Sequence, residues 1–275
     1  MTDQSTKGET FRALHEAGCF IIPNPWDPGS AKIMAGLGFE ALATTSSGYA
    51  RSTGVNDYEL TRQQVIDHVR DLCDATDLPV SADLENGFGH RPEACAETIK
   101  LGAEVGLVGG SIEDFNGTPG EQYEIAHATD RVAAAVEAAR ALPHNFILTA
   151  RAENHFTGNG DLADTITRLQ AYQEAGADVL YAPGLKTKAH IASVLSSVDR
   201  PVNVLLGPKE GLIPVAELAE MGVRRISVGG ALANVAVDAL IKAGRELLGA
   251  GTFGFLNGVT PASEIIELMF GKSAS

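Results

Sequence analysis

Short runs of β-branched and small apolar residues recur along this chain, each followed by a longer stretch whose apolar positions return at helical spacing. The runs begin near Cys19, Glu40, Pro79, Val105, Asn145, Asp178, Pro201 and Arg225. The helical stretches between and after them are 30–37, 61–76, 92–101, 131–142, 162–175, 188–196, 215–221 and 233–247. Runs of strand length bounded by turn residues predict buried strands, and the longer period predicts amphipathic helices. Gly36, Gly176 and Gly222 stand where helices should end and strands follow, as expected of left-handed C-terminal caps. Such alternation requires a parallel sheet with right-handed crossovers. About eight units in 275 residues favour one (β/α)8 barrel domain, residues 1–275, over an open doubly wound sheet. A further helix opens at residues 260–264, with Ile265, Ile266, Leu268 and Met269 behind it. That apolar face needs a partner, either its own barrel or a neighbouring subunit, and the pattern leaves both open.

Composition narrows the function. A formal charge of −14 argues against nucleic-acid binding, which needs a basic surface. An acidic protein that binds acidic substrates must concentrate positive charge locally, through a metal or an arginine. Cys19, Cys73 and Cys95 show no metal-binding spacing, and reduced, buried thiols are expected. Residues 1–10 are polar and lack the apolar core of a signal peptide. No run approaches the roughly 20 apolar residues of a membrane span, so a cytoplasmic enzyme is the expectation.

The predicted strands end on reactive groups. The third runs into Asp83-Leu84-Glu85-Asn86-Gly87, the fourth into Glu113-Asp114, the fifth into Arg151-Ala152-Glu153, and the second delivers Ser46-Ser47-Gly48-Tyr49. In a barrel, residues just past strand C-termini line the mouth where chemistry occurs. Oxygen-only ligands such as Asp83, Glu85 and Glu113 point to a hard cation, most simply Mg2+. The competing reading is that these acids cap loops or pair with Arg151. Arg151 suits bidentate recognition of a carboxylate, or else it orders the rim by pairing with Glu153 or Glu113. Ser47-Gly48-Tyr49 offers a hydroxyl and consecutive amides, with Gly48 allowing close approach of a ligand; an ordinary tight turn explains it too. Gly229-Gly230 stands where many barrels hold a phosphate, or where a strand and helix pack closely. The Gly-, Pro- and Asn-rich segment 114–123 reads as a lid over the mouth or a plain surface loop.

Together these segments resemble the isocitrate lyase/phosphoenolpyruvate mutase superfamily. The resemblance runs from Pro23-Asn24-Pro25-Trp26-Asp27 to the eighth strand, and is strongest at Ser47-Gly48-Tyr49, Gly54-Val55-Asn56-Asp57, Ala82 to Gly89, Ile112-Glu113-Asp114 and Ala150-Arg151-Ala152-Glu153. It implies a barrel, usually a homo-oligomer (dimer or tetramer), that uses Mg2+ and a small 2-oxo or 2-hydroxy carboxylate. By motif position it implies Asp83 as the direct metal ligand. Asp57, Glu85 and Glu113 would hold the metal's waters. Ser47, with the amides of Gly48 and Tyr49, would bind the substrate carboxylate, and Arg151 would orient the substrate. Glu85 replaces the family's usual second Asp. The lid lacks both the Cys of the C–C lyases and the Lys of the phosphonate enzymes, and Ala182-Pro183-Gly184 lacks the mutase's His. The expectation is therefore a Mg2+-dependent C–C lyase or decarboxylase acting through a metal-stabilised enolate, with Tyr49 or Glu121 as local acid/base candidates. The alternatives are a phosphonopyruvate-type mutase or hydrolase, a low-turnover 2-oxo acid binder, and a phosphate-binding barrel that uses Gly229-Gly230.

Overall fold

The computed structural model describes residues 2–207 and 212–271. Eight strands form one all-parallel sheet: β1 (Phe20–Ile22), β2 (Leu42–Ala43), β3 (Val80–Asp83), β4 (Gly109–Glu113), β5 (Ile147–Arg151), β6 (Val179–Tyr181), β7 (Val202–Leu205) and β8 (Arg225–Ser227). The order runs β2 through β8 and on to β1. The ring closes where the Ala43 amide donates to the Pro23 carbonyl at 3.0 Å and the Asn24 side-chain amide donates to the Thr44 carbonyl at 3.0 Å. This is the expected (β/α)8 barrel, with every strand within a few residues of its predicted start.

The helices follow the sequence pattern because their caps and breakers are local. Thr61 caps Arg62–Ala75 through a reciprocal bond with Gln64, Asp161 caps Leu162–Glu174, and Pro92 opens Pro92–Glu104, each satisfying or removing an otherwise unpaired amide of the first turn. Among the described residues three α-helices lie outside the predicted set. Gln4–Leu14 has a weak apolar stripe, yet it lies across the N-terminal end of the barrel, where Phe11 is buried with Phe20, Ile147 and Val179. Ser46–Thr53 and Asn154–Thr157 lie at the opposite end.

Outside the strands a continuous apolar layer packs, with Leu84, Ile99, Leu107, Ile112 and Leu148 fully buried. Each such side chain stabilises the fold by roughly 1.5–3 kcal/mol. Inside, the barrel departs from the usual packing of branched apolar side chains. Ser81, Ser111, Thr149, Asn203, Arg225 and Ser227 are all buried polar residues, and at these strand positions side chains alternate between the two faces. Register sets Glu113, Arg151, Tyr181, Asn203 and Arg225 in one hydrogen-bonded row across β4 to β8.

The two terminal helices differ in how they bury themselves. Ala262–Phe270 lies across Pro28–Gly36 of its own barrel, so closely that the Leu268 carbonyl leaves no room for a β-carbon at Gly36. Ala231–Gly249 buries only Ala233. Cys73 and Cys95 are buried free thiols, as expected, whereas Cys19 is only half-buried because it precedes β1 at the barrel rim. Among the described residues no helix is long and apolar enough to cross a membrane.

Candidate active site

A cavity of about 610 Å3 opens at the C-terminal ends of the strands, and Ser47, Asp57, Asp83 and Arg151 line it. Asp83, Glu113 and Arg151 are the last residues of β3, β4 and β5, so the barrel brings them to one end without any special loop. The guanidinium of Arg151 is the hub. It donates to Asp83 Oδ1 at 2.8 Å and to Glu153 Oε1 at 2.9 Å, lies 3.1 Å from Glu113 Oε2, and sits over the Tyr181 ring at 5.1 Å. Burial disfavours its charge, but Glu153, Glu113 and Asp83 outweigh that and hold its pKa well above the ordinary arginine value. The rim pairing with Glu153 and Glu113 and the place at the cavity wall are thus both properties of this side chain.

The acids around it are crowded. Burial, then Asp83 and Asp57, push the Glu85 carboxyl up to about 8. Burial raises Glu113 well above the usual carboxylate range against the pull of Arg151, and Glu153 is pushed to about 7 in the same way. Asp57, on the loop beyond Ser46–Thr53, is raised by burial and by Asp83. Glu85 Oε1 is buried with no hydrogen-bond partner. Its backbone is held at φ 48°, and that of Phe88, three residues later, at 58°. Strain of this kind costs on the order of 1–3 kcal/mol per residue and persists only where the surroundings impose it. Here the fully buried Arg131 imposes it, donating to the carbonyls of Asn86 and Gly89 while stacking over Tyr123 at 4.2 Å.

Asp83, Glu113 and Glu153 therefore pair with one guanidinium, while Asp57 and Glu85 crowd Asp83 and one Glu85 oxygen is left orphaned. Like charges packed so closely are relieved by a cation, and oxygen donors suit a hard one. Among the described residues no three His, Cys, Asp or Glu side chains converge tightly enough to enclose an ion by themselves. Mg2+ needs no such cage, because it keeps several waters and takes one or two carboxylates directly. The donor set fits it.

Ser47-Gly48-Tyr49 belongs to a helix rather than a turn, and this revises its expected role. Thr45 caps the helix, its Oγ1 accepting the Gly48 amide at 3.3 Å, while the Tyr49 amide donates to the Thr45 carbonyl at 3.1 Å. The amides of Gly48 and Tyr49 are thus committed to the helix. A β-carbon at Gly48 would meet Thr45, Trp26 and Ala233, so packing requires this glycine. Ser47 keeps its hydroxyl at the cavity, 3.4 Å from Arg51 Nη2. Tyr49 is two residues, or about 200° of helical turn, from Ser47. Its ring stacks on His68 with centroids 3.6 Å apart, off the cavity lining. Its ring therefore forms no part of the cavity wall.

The segment after β4 folds back over the mouth. Phe115 bridges Gln122, and Phe115, Pro119 and Gly120 line the cavity. Asp114 fixes its root by accepting from Tyr172 Oη at 2.6 Å and Arg168 Nη1 at 3.0 Å. Glu121 instead accepts from Asn116 on the exposed side. Gly229-Gly230 is also explained by packing. Asn24 Oδ1 accepts the amides of Val228 and Gly229, and Ser47 and Arg51 crowd Gly230. The Val228 and Gly229 amides are spent on this contact, while Gly230 itself lines the cavity.

Four cavity residues had no signal in the sequence pattern. Arg51 shares a helix face with Ser47, a spacing legible only once the segment is known to be helical. Tyr58, at φ 65°, donates its hydroxyl to Glu113 Oε1 at 2.7 Å and packs against Phe115. Asn203 and Arg225 occupy interior strand positions where apolar residues are the rule.

Comparison with known proteins places the chain among its relatives. An oxaloacetate decarboxylase from Pseudomonas savastanoi pv. phaseolicola is 29% identical over 253 residues, 88% of this chain and 86% of that protein. A crystal structure of a candidate lyase/mutase from Burkholderia cenocepacia J2315 superposes with a TM-score of 0.93 at 54% identity, covering 95% of both chains. Oxaloacetate acetylhydrolase in complex with the inhibitor 3,3-difluorooxalacetate superposes with a TM-score of 0.87 at 25% identity, covering 98% of this chain and 94% of that one. The family model for phosphoenolpyruvate phosphomutase matches residues 11–248. With its barrel, its ring of acids and these likenesses taken together, the chain belongs to the phosphoenolpyruvate phosphomutase family, within the isocitrate lyase/PEP mutase superfamily.

Proposed function

We propose that this protein is a Mg2+-dependent carbon–carbon lyase or decarboxylase of a small 2-oxo or 2-hydroxy carboxylate. The observation that carries the reading is the excess of carboxylates around Arg151, with Glu85 Oε1 buried and unpaired. Asp83 is the direct ligand in this reading, and Asp57, Glu85 and Glu113 hold the metal's waters. When bound, Mg2+ supplies a Lewis acid for the negative charge that develops on the oxo oxygen as the C–C bond breaks. Ser47 and Arg51 meet the substrate carboxylate, and Arg151 orients the oxo acid head. The Tyr58 hydroxyl fixes the Glu113 carboxylate. Phe115, Pro119 and Phe156 form the apolar side of the cavity. The segment 115–122 brings no cation to the cavity, which weighs against P–C bond chemistry. The likeness to oxaloacetate decarboxylase and to oxaloacetate acetylhydrolase supports an oxo-dicarboxylate substrate.

The same reading includes a homo-oligomer. Along and beyond the helix Ala231–Gly249, Val235, Leu240, Leu248 and Phe253 are 68%, 73%, 92% and 64% exposed. Large apolar side chains left this exposed on a helix that buries only Ala233 are characteristic of a subunit interface, and a second copy of the chain is the partner that the resemblance implies.

Proton NMR of the purified protein with oxaloacetate, 2-methylisocitrate, dimethylmalate and phosphonopyruvate tests the activity, each with Mg2+ and with EDTA. The expected result is EDTA-sensitive C–C cleavage that Asp83→Asn abolishes. Intact substrates throughout would overturn it and leave the low-turnover binder.

A further inference from the structure

Arg225, the first residue of β8, is 5% exposed and lines the same cavity as Asp83 and Ser47, on its barrel-interior side. Its Nε donates to Asn203 Oδ1 at 2.9 Å, Nη2 donates to Thr149 Oγ1 at 2.9 Å, and Nη1 lies 3.4 Å from His15 Nε2. All three partners are neutral. His15 Nδ1 is 2.7 Å from the Phe11 carbonyl, so it carries the ring proton there and leaves Nε2 as an acceptor. Burial and the charge of Arg225 push the His15 pKa down to about 3. No carboxylate among the described residues forms an ion pair with Arg225, and burial lowers its own pKa to about 10, with only the nearby Tyr181 opposing.

A buried charge without a counter-charge is costly. The surroundings are shaped for polar contents, not for filling. Ser81, Ser111, Asn203 and Ser227 line the cavity around it, at depths where barrels ordinarily pack branched apolar side chains. Asn203 is held in turn by its own donation to Ser227 Oγ at 2.9 Å. Arg225 also lies in register with Arg151, through Tyr181 and Asn203. A strand row therefore links the guanidinium at the mouth to the one in the barrel, separated by three strand spacings of roughly 4.8 Å each. Strand tilt sets the second one deeper.

We propose that Arg225, oriented by Asn203 and Thr149, is an anion subsite inside the barrel that receives the distal carboxylate of a dicarboxylic 2-oxo acid. The substrate head stays at Ser47 and Arg151, and its tail extends inward past Ser111 and Ser227. The inference rests on the metal-and-carboxylate reading of the mouth and specifies its substrate class. A ligand carboxylate completes the charge that the fold leaves unpaired, and a substrate ending in a methyl group does not.

Isothermal titration calorimetry with Mg2+ tests this using 2-oxoglutarate and 2-oxopentanoate, which share a head and differ only in a terminal carboxylate or methyl group. Wild-type protein is expected to prefer 2-oxoglutarate by about tenfold to a hundredfold, the range for hydrogen bonds to a charged group. Arg225→Met should collapse that ratio to near unity. Replacement of a buried arginine by methionine is often tolerated, and circular dichroism checks that it is here. Asn203→Asp is the second variant. It places an internal carboxylate against the guanidinium at nearly unchanged volume, and should collapse the ratio in a folded protein. Equal affinities in the wild type, or a preference that survives both variants, would overturn the subsite while leaving the mouth intact. Failure of both ligands to bind in a Mg2+-dependent way would overturn the reading of the mouth, and the subsite with it.

Discussion

Glu85 gives the sharpest physical test of the metal site, because its removal should act in opposite directions with and without the ion. Its carboxyl titrates near 4.5 when unperturbed and at about 8 in the fold, raised by burial and by Asp83 and Asp57. Between those values the native state binds more protons than the unfolded chain. Metal-free stability is therefore full below about pH 4.5 and declines as pH rises through about 8. At about 1.4 kcal/mol per pKa unit, the loss is under about 1 kcal/mol at pH 5 and about 4 kcal/mol at pH 8. Glu85→Gln removes that titration but keeps a buried oxygen without a partner, which offsets about 1–2 kcal/mol. In EDTA, the variant should match or trail the wild type at pH 5 and exceed it by about 2 kcal/mol at pH 8, a Tm gain of roughly 5 °C for a chain of this size. Saturating Mg2+ should reverse the order at pH 8, because binding stabilises in proportion to affinity and the variant has lost a ligand to the metal's waters. Differential scanning fluorimetry across pH, with EDTA and with Mg2+, reads all four conditions. A variant less stable than wild type at pH 8 in EDTA, with an unchanged pH slope, would refute the account of Glu85 as an uncompensated acid awaiting a cation.

Arg151→Lys retains the charge but cannot reach Asp83, Glu113 and Glu153 at once, so kcat/KM should fall by at least about a hundredfold and stability by about 2–3 kcal/mol, near the range for breaking a buried pair; steady-state kinetics and urea unfolding check both. Leu240→Asp combined with Leu248→Asp should convert the proposed homo-oligomer to monomer at micromolar concentration without changing the circular dichroism spectrum, and sedimentation velocity measures it. A monomeric wild type would refute the proposed homo-oligomer, and an unchanged sedimentation coefficient in the variant would refute this face as its interface.

The architecture was legible because the barrel is written in local terms. Strand runs, helix period, N-terminal caps and post-helical glycines each act over a few residues, and they set the positions of all eight strands. The acids were legible for the same reason: Asp83, Glu113 and Arg151 end strands, and strand ends in a parallel barrel share one face. What failed was whatever depended on the rotation of a side chain about its element. Tyr49 is only two residues from Ser47 in the chain, but helical geometry in Ser46–Thr53 turns it onto His68 and brings Arg51 to the cavity instead. Tyr58 and Glu85 reach the site through left-handed backbone that no propensity predicts. Gly48 resembles a ligand-facing glycine, yet it is required by Trp26 and Ala233, neighbours distant in sequence. Arg225 could be read only as one polar residue in an apolar strand. Its meaning comes from Asn203, Thr149 and His15, which approach it from two other strands and the loop after the first helix. Sequence by itself determined the fold and the ring of acids, through interactions spanning a few residues. Tertiary structure alone decided which side chains face the cavity and which charge is left unpaired, because those depend on contacts between segments up to 210 residues apart.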